Sequence, residues 1–213
     1  VQGPIIYSIS HPCCFPSAFL PSLREVAGTG HGTRADVAAV PRRGGAGETA
    51  KRLLAAGHQV EIVVPSAYLA GRCRVNAPGA VVHECRIEDL TSAGGFDICL
   101  FSESFQYIGL DDGVPRALAL LAPGGQVIIA DCFRSDAYKS RAVHGAQPGG
   151  GHKLTAFRAR LAGWPVAVTH VEEITDAVAP SIDLEQGFFN VLGLGLELWL
   201  LLHLCLLLCL LLY

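Results

Sequence analysis

From Gly44 onward the apolar residues of this chain follow two alternating rhythms. Where they recur every three to four positions, a helix with one buried face is expected. Where several follow one another between turn residues, a buried strand is expected. Residues 48–56 read as a helix with Leu53 and Leu54 on one face, stopped by Gly57. Residues 59–64 read as a short strand closed by Pro65 and Ser66. Residues 67–76 make a second helix, which ends near Pro78 and Gly79, and 80–85 a strand. Gly94 and Gly95 mark a turn before the apolar strand 96–102. A helix over 114–121, a sharp turn at Pro123-Gly124-Gly125 and a strand over 126–130 follow, and this strand runs straight into Asp131. Beyond it the pattern loosens. Residues 145–151 are a Gly-rich loop, 154–162 a helix, 165–170 a strand and 183–191 a helix.

Strands of about six residues alternating with helices of about ten are the mark of βαβ units. Near-continuous apolar strands such as Ile98-Cys99-Leu100-Phe101 and Val127-Ile128-Ile129-Ala130 suit a parallel sheet covered on both faces. In such sheets ligands sit at the carboxyl ends of the strands, here just after Val64, Cys85, Phe101 and Ala130. Residues 1–43 show no clean period and carry Pro4, Pro12, Pro16, Pro21 and Pro41, so they read as an irregular N-terminal segment. The expected division is that segment, an α/β domain over 44–192, and a Leu-rich tail over 193–213.

Composition narrows the chemistry. Among 213 residues 51% are apolar and 16% charged, and much of the apolar excess sits in the tail. A formal net charge of −3 gives no reason to invoke nucleic acid. Met is absent, including at position 1, which fits a fragment or a processed product. The first residues lack the charged region of a signal peptide. Eight Cys without a CxxC spacing read as free thiols. His11, Cys13 and Cys14 have no second ligand pair at zinc spacing, so no metal is expected.

The segments FDICLFSESFQYI (96–108) and LALLAPGGQVIIADCFRSD (118–136) resemble, in order and spacing, the middle of class I S-adenosylmethionine-dependent methyltransferases. Upstream, residues 44–90 look like that family's Gly-rich loop, helix, second strand, helix and third strand. The resemblance, closest to the small-molecule and lipid-type enzymes, covers roughly 44–191. It implies a Rossmann-like, doubly wound α/β fold with a mainly parallel sheet. No final antiparallel strand is visible, because the tail is nearly all Leu, so that strand is expected to be missing. The resemblance also implies S-adenosylmethionine as cofactor and a small molecule as methyl acceptor. Gly45, Ala46 and Gly47 would cradle the amino-acid end of the cofactor, since a turn without Cβ lets backbone come close. Val64 stands where the ribose-binding acid belongs. Arg86, Ile87, Glu88 and Asp89 follow the third strand, where adenine is held. Ser102, Glu103, Gln106 and Tyr107 would face cofactor and acceptor, and Asp131 the acceptor. The block of cofactor contacts is thus Gly45, Ala46, Gly47, Val64, Ile87, Glu88 and Ser102, and of catalytic groups Glu103, Tyr107 and Asp131. His152 and Asp176 are weaker candidates.

The chain departs from the family at three positions. Counting back from Gly47 puts Arg43 at the first Gly, Pro41 at the first-strand acid and, in the second strand, Val64 at the ribose acid. A second Gly-rich run, Glu25 to Gly32, has complete Gly spacing but lies far from the second strand. Bland roles stand beside the sharp ones: Asp131 as a cap, Tyr107 as core packing, Glu103 as a solvated loop carboxylate, His152 as a surface group. Two alternatives to methyl transfer remain: a non-catalytic or membrane-associated remnant of the fold, and a nucleotide-sugar or NAD-type enzyme suggested by 27–32 and 54–60. As a helix, residues 198–213 reach about 24 Å against a hydrocarbon core of roughly 30 Å. The tail therefore reads either as a membrane contact or as a buried, self-associating helix, on a protein expected in the cytoplasm.

Overall fold

A computed structural model describes residues 4–10, 37–39, 46–137 and 151–178, with residues 180, 187 and 190–193 beyond them. The chain divides into two compact units, Val1–Glu173 and Ile174–Tyr213. In the second unit residues 175–178 and 190–193 are helical. Most of the helix expected over 183–191, and all of the tail but Gly193, lie outside the described residues.

The first unit is a sheet with helices. Its elements are β1 (Pro4–Ser10), β2 (Val37–Ala39), α1 (Glu48–Ala55), β3 (Glu61–Val63), α2 (Ala67–Asn76), β4 (Val81–His83), β5 (Phe96–Ser102), α3 (Leu110–Leu120), β6 (Leu121–Arg134), β7 (His152–Lys153), α4 (Leu154–Gly163) and β8 (Ala167–Glu173). Single 3-10 turns lie at Ile87–Asp89 and Phe105–Tyr107. The strand order is β4-β3-β2-β5-β6-β1-β8, with β7 paired to the end of β6. From β4 to β6 every pairing is parallel. The doubly wound, mainly parallel sheet expected from the apolar rhythm is therefore present.

The N-terminal segment departs from its expected irregularity at two places. Residues 37–39 form β2, between β3 and β5. Residues 4–10 form β1, antiparallel both to β6 and to β8. The sheet thus has an antiparallel strand after all, supplied from the beginning of the chain. Its sequence, PIIYSIS, places Ile5, Tyr7 and Ile9 on one face, and each is at most 3% exposed. On the other face the Thr169 hydroxyl donates to the buried Ser8 Oγ at 3.1 Å. The nearby prolines obscure this period of two in the sequence, and its partners are remote.

Two more elements run longer than expected. α3 begins at Leu110, one turn before Val114, because Asp111 and Asp112 supply negative charge where the helix dipole favours it. Pro115 lies inside α3, where it has no N–H to offer the preceding turn. β6 passes through the Pro-Gly-Gly turn, as a register irregularity between Phe96 and Ile98. Only glycine fits at Gly125: a Cβ there would stand 2.8 Å from the Phe96 carbonyl oxygen.

The core has two parts. The larger joins Ile5, Tyr7 and Ile9 of β1 to Phe101, Val127, Ile129 and Phe133, and covers them with Val114, Leu120 and Phe157. The smaller packs Ile62 and Val64 beneath Ala50, Ala70 and Cys73 of α1 and α2. Each large side chain removed from water contributes about 1.5–3 kcal/mol.

Candidate functional site

The carboxyl ends of β3, β4 and β5 open onto one cleft of about 500 Å³. β3 contributes Val63, and the turn after it Val64, Pro65 and Ser66, with Leu69 from α2. Arg86, Ile87 and Glu88 come from the 3-10 turn after β4. Ser104, Tyr107 and Ile108 come from the turn after β5. This is where an open α/β sheet places its ligand.

Five of the sequence candidates therefore meet: Val64, Arg86, Ile87, Glu88 and Tyr107. Val64 is wholly buried and its side chain offers no acceptor, so the ribose-binding acid has no substitute at that position. Ile87 is buried and Tyr107 is 46% exposed. Glu88 Oε1 lies 3.2 Å from Arg86 Nη2 in a solvent-exposed pair. Ser66, which the sequence marks only as a helix start, caps α2 by accepting from the Leu69 N–H at 3.4 Å. Pro65, Leu69, Ser104 and Ile108 were not foreseen as lining residues.

The remaining candidates lie elsewhere or do other work. Gly45 is outside the described residues. Ala46 and Gly47 do not line the cleft. The Ala46 carbonyl accepts from Asn76 Nδ2 at 2.7 Å, and Gly47, at φ +92°, starts α1 so close to α2 that a Cβ would stand 3.2 Å from the Cys73 Cα. This glycine serves helix packing. Ser102 ends β5, and Glu103 follows at φ +52°, a left-handed conformation that costs a non-glycine residue about 1–3 kcal/mol. The Glu103 N–H donates to the Ala130 carbonyl at 2.8 Å, which holds this bend against β6. Neither side chain lines the cleft. Asp89 closes its 3-10 turn and Asp176 belongs to the second unit.

Asp131, expected at a strand end facing the acceptor, is inside β6 and 1% exposed. Its carboxylate accepts from the Gln106 N–H at 3.0 Å and the Cys132 N–H at 2.7 Å. Burial raises its carboxyl from 3.8 to about 6; the backbone N–H groups of Gln106, Cys132 and Phe105 oppose that, and the Glu103 charge adds to it. Asp131 thus caps the turn after β5, where the sequence reading had it cap the segment that follows. That turn is gripped from the opposite side as well. His152 Nε2 lies 2.9 Å from the Ile108 carbonyl oxygen and 3.1 Å from that of Phe105. Its ring meets Phe105 edge to face.

Three of the described cysteines have their thiolate form disfavoured. Burial pushes the thiols of Cys73, Cys85 and Cys132 up, and for Cys132 the charges of Asp131 and Glu103 add to it. Among the described residues no group of His, Cys, Asp and Glu is arranged to hold a metal ion.

No family model matches the chain, and no curated protein does. Solved structures do match. Geranyl diphosphate C-methyltransferase from Streptomyces coelicolor A3(2), solved with S-adenosyl-L-homocysteine, superposes with a TM-score of 0.52 at 19% identity, over 66% of this chain and 54% of that one. A putative sarcosine dimethylglycine methyltransferase from Galdieria sulphuraria gives 0.51 at 14% identity, over 62% of this chain and 54% of that one. The chain therefore spans about half the length of the structures it matches. The fold of this chain is the one these two structures share.

Proposed function

We propose that this protein transfers a methyl group from S-adenosylmethionine to a small-molecule acceptor. One observation carries the reading: Val64, Ile87 and Glu88, placed by sequence on the cofactor side, and Tyr107, placed on the acceptor side, line the same cleft. Its volume, about 500 Å³, suits a nucleoside-sized ligand. Val63, Pro65, Leu69 and Ile87 offer apolar surface to a base, and Glu88 offers oxygens to a ribose hydroxyl or an exocyclic amine. The fit is complete for the base and reduced for the ribose, because Val64 leaves Glu88 as the carboxylate lining the cleft.

Bound there, S-adenosylmethionine would bring a methyl group already activated by its sulfonium charge. Catalysis then asks the protein mainly to align the acceptor and exclude water. Tyr107 has the phenol for alignment. Glu103 supplies an exposed carboxylate at the end of β5, one residue before Ser104 of the cleft. Asp131 supports the turn that carries Tyr107. Calorimetric titration with S-adenosylhomocysteine tests the reading: saturable binding is expected, and no heat at millimolar ligand with folded protein would refute it.

A second reading, a non-catalytic fold kept without the cofactor, is favoured by Val64 and by the use of Asp131 as a cap. The same titration separates the two. The nucleotide-sugar or NAD alternative is weakened by β1, which lies antiparallel in a sheet where that alternative expects parallel strands. A cytoplasmic location agrees with the free thiols of Cys73, Cys85, Cys99 and Cys132. Among the described residues no helix is long and apolar enough to cross a membrane. The Leu-rich run of the tail supports membrane contact or self-association, which vesicle co-sedimentation and sedimentation velocity would tell apart.

A further inference from the structure

We propose that His152 is a positioning residue, which holds the 104–108 turn, and with it one wall of the cleft, by donating its Nε2 proton to the Phe105 and Ile108 carbonyl oxygens. The inference deepens the methyl-transfer reading and rests on it only for its ligand-binding arm.

The geometry is specific. Both atoms facing Nε2 are carbonyl oxygens, which only accept, so the proton of the ring sits on Nε2. The two carbonyls flank the segment that contributes Tyr107 to the cleft, and Ile108 itself lines it. Within that segment the Tyr107 N–H bonds the Ser104 carbonyl at 3.2 Å and the Ile108 N–H that of Phe105 at 3.0 Å. These bonds define a single turn, too short to hold itself. Asp131 takes N–H groups of the turn on one side, and His152 takes carbonyl groups on the other.

The backbone around His152 is built to bring it there. His152 and Lys153 form β7, in register with Phe133 and Arg134 of β6, which fixes the imidazole to the sheet. Gly151, at φ +77°, passes the strand so closely that a Cβ would collide with the Cys132 carbonyl oxygen. The Phe105 ring, wholly buried, closes over the imidazole at 5.3 Å between centroids.

The full chain carries the test, as wild type, His152→Leu and His152→Gln. A glutamine amide can place an N–H near the Nε2 position; leucine cannot. Hydrogen exchange of the Tyr107 and Ile108 amides is expected to rise about tenfold in His152→Leu, the loss of one to two hydrogen bonds. Exchange in β5 should stay unchanged, and His152→Gln should recover most of the protection. S-adenosylhomocysteine affinity should fall and recover in parallel. In the wild type, 15N NMR of histidine should show Nε2 protonated, a readout independent of whether either variant folds. An Nδ1–H tautomer, unaltered exchange in His152→Leu, or a glutamine variant that behaves like leucine overturns the proposal. Absence of S-adenosylhomocysteine binding to the wild type would sink the methyl-transfer reading instead, and leave the exchange and NMR arms to decide on His152.

Discussion

On the β5 side of the cleft the wall is tied to the sheet at three places. Asp131 takes its N–H groups, His152 faces its carbonyls, and Phe105 anchors it among Phe101 and Phe157. On the β3–β4 side the wall is built on the buried Val63, Val64 and Ile87, and its polar ties are a helix cap at Ser66 and an exposed Arg86–Glu88 pair. The polar ties of the first wall are the buried Asp131 and the half-buried His152, costly to leave unsatisfied. Those of the second are a half-buried cap and an ion pair that water largely screens. The acceptor side of the proposed site is therefore the half with more polar ties to the sheet, and the cofactor side the half whose chemistry is incomplete.

The contrast can be broken most strongly at Phe105. Phe105→Ala removes a ring with no exposed surface, and should cost about 3–5 kcal/mol in denaturant unfolding. A loss below 1 kcal/mol would mean the wall is not anchored by its core contacts.

Asp131 comes next and carries a pH signature. Its carboxyl rises from 3.8 to about 6 on folding, so the folded state binds that proton more tightly. The stability this adds is fully present below about pH 4 and lost as the pH rises through about 6, an amount of ~3 kcal/mol. Asp131→Asn removes that loss. Unfolding free energies measured from pH 4 to 7 should therefore shift in favour of the variant, relative to wild type, as the pH rises. A difference constant with pH would show that burial does not control this carboxyl.

Smaller effects belong to the second wall. Ser66→Ala should lower stability by about 1 kcal/mol, the usual worth of a helix N-cap, seen as a modest drop in Tm. Arg86→Ala should change stability by a few tenths of a kcal/mol at most, since the pair it breaks is exposed. A large loss there would erase the distinction between the walls.

Much of this was legible along the chain. The bounds of α2 and β5 match their sequence expectation, because Ser66 and Pro78 punctuate one and Gly94-Gly95 the turn before the other. The cleft could be placed because parallel strands were recognisable and their carboxyl ends follow. What stayed hidden depends on distant partners. Nothing near Asp131 tells that its acceptors serve Gln106, or near His152 that its ring faces Phe105 and Ile108. The left-handed turn at Glu103 is equally silent, since glutamate has no preference for it. Val64 was noticed as a departure, but its complete burial came only from the packing of α1 and α2.

β1 has a consequence for how the molecule comes to be. Ser10 pairs with Gln126 on one side and Ala167 on the other, and Ile5 with Asp131 and Glu173. During synthesis this strand is made before both of its neighbours and can pair only after nearly the whole unit has followed. Its row of Ile5, Tyr7 and Ile9 must wait without partners through that interval. Such distant pairing slows folding and leaves apolar strand edges open to aggregation and to chaperones. The assembly of β5 and β6 can proceed early, while the closing of the sheet around β1 sets the time at which the unit is finished.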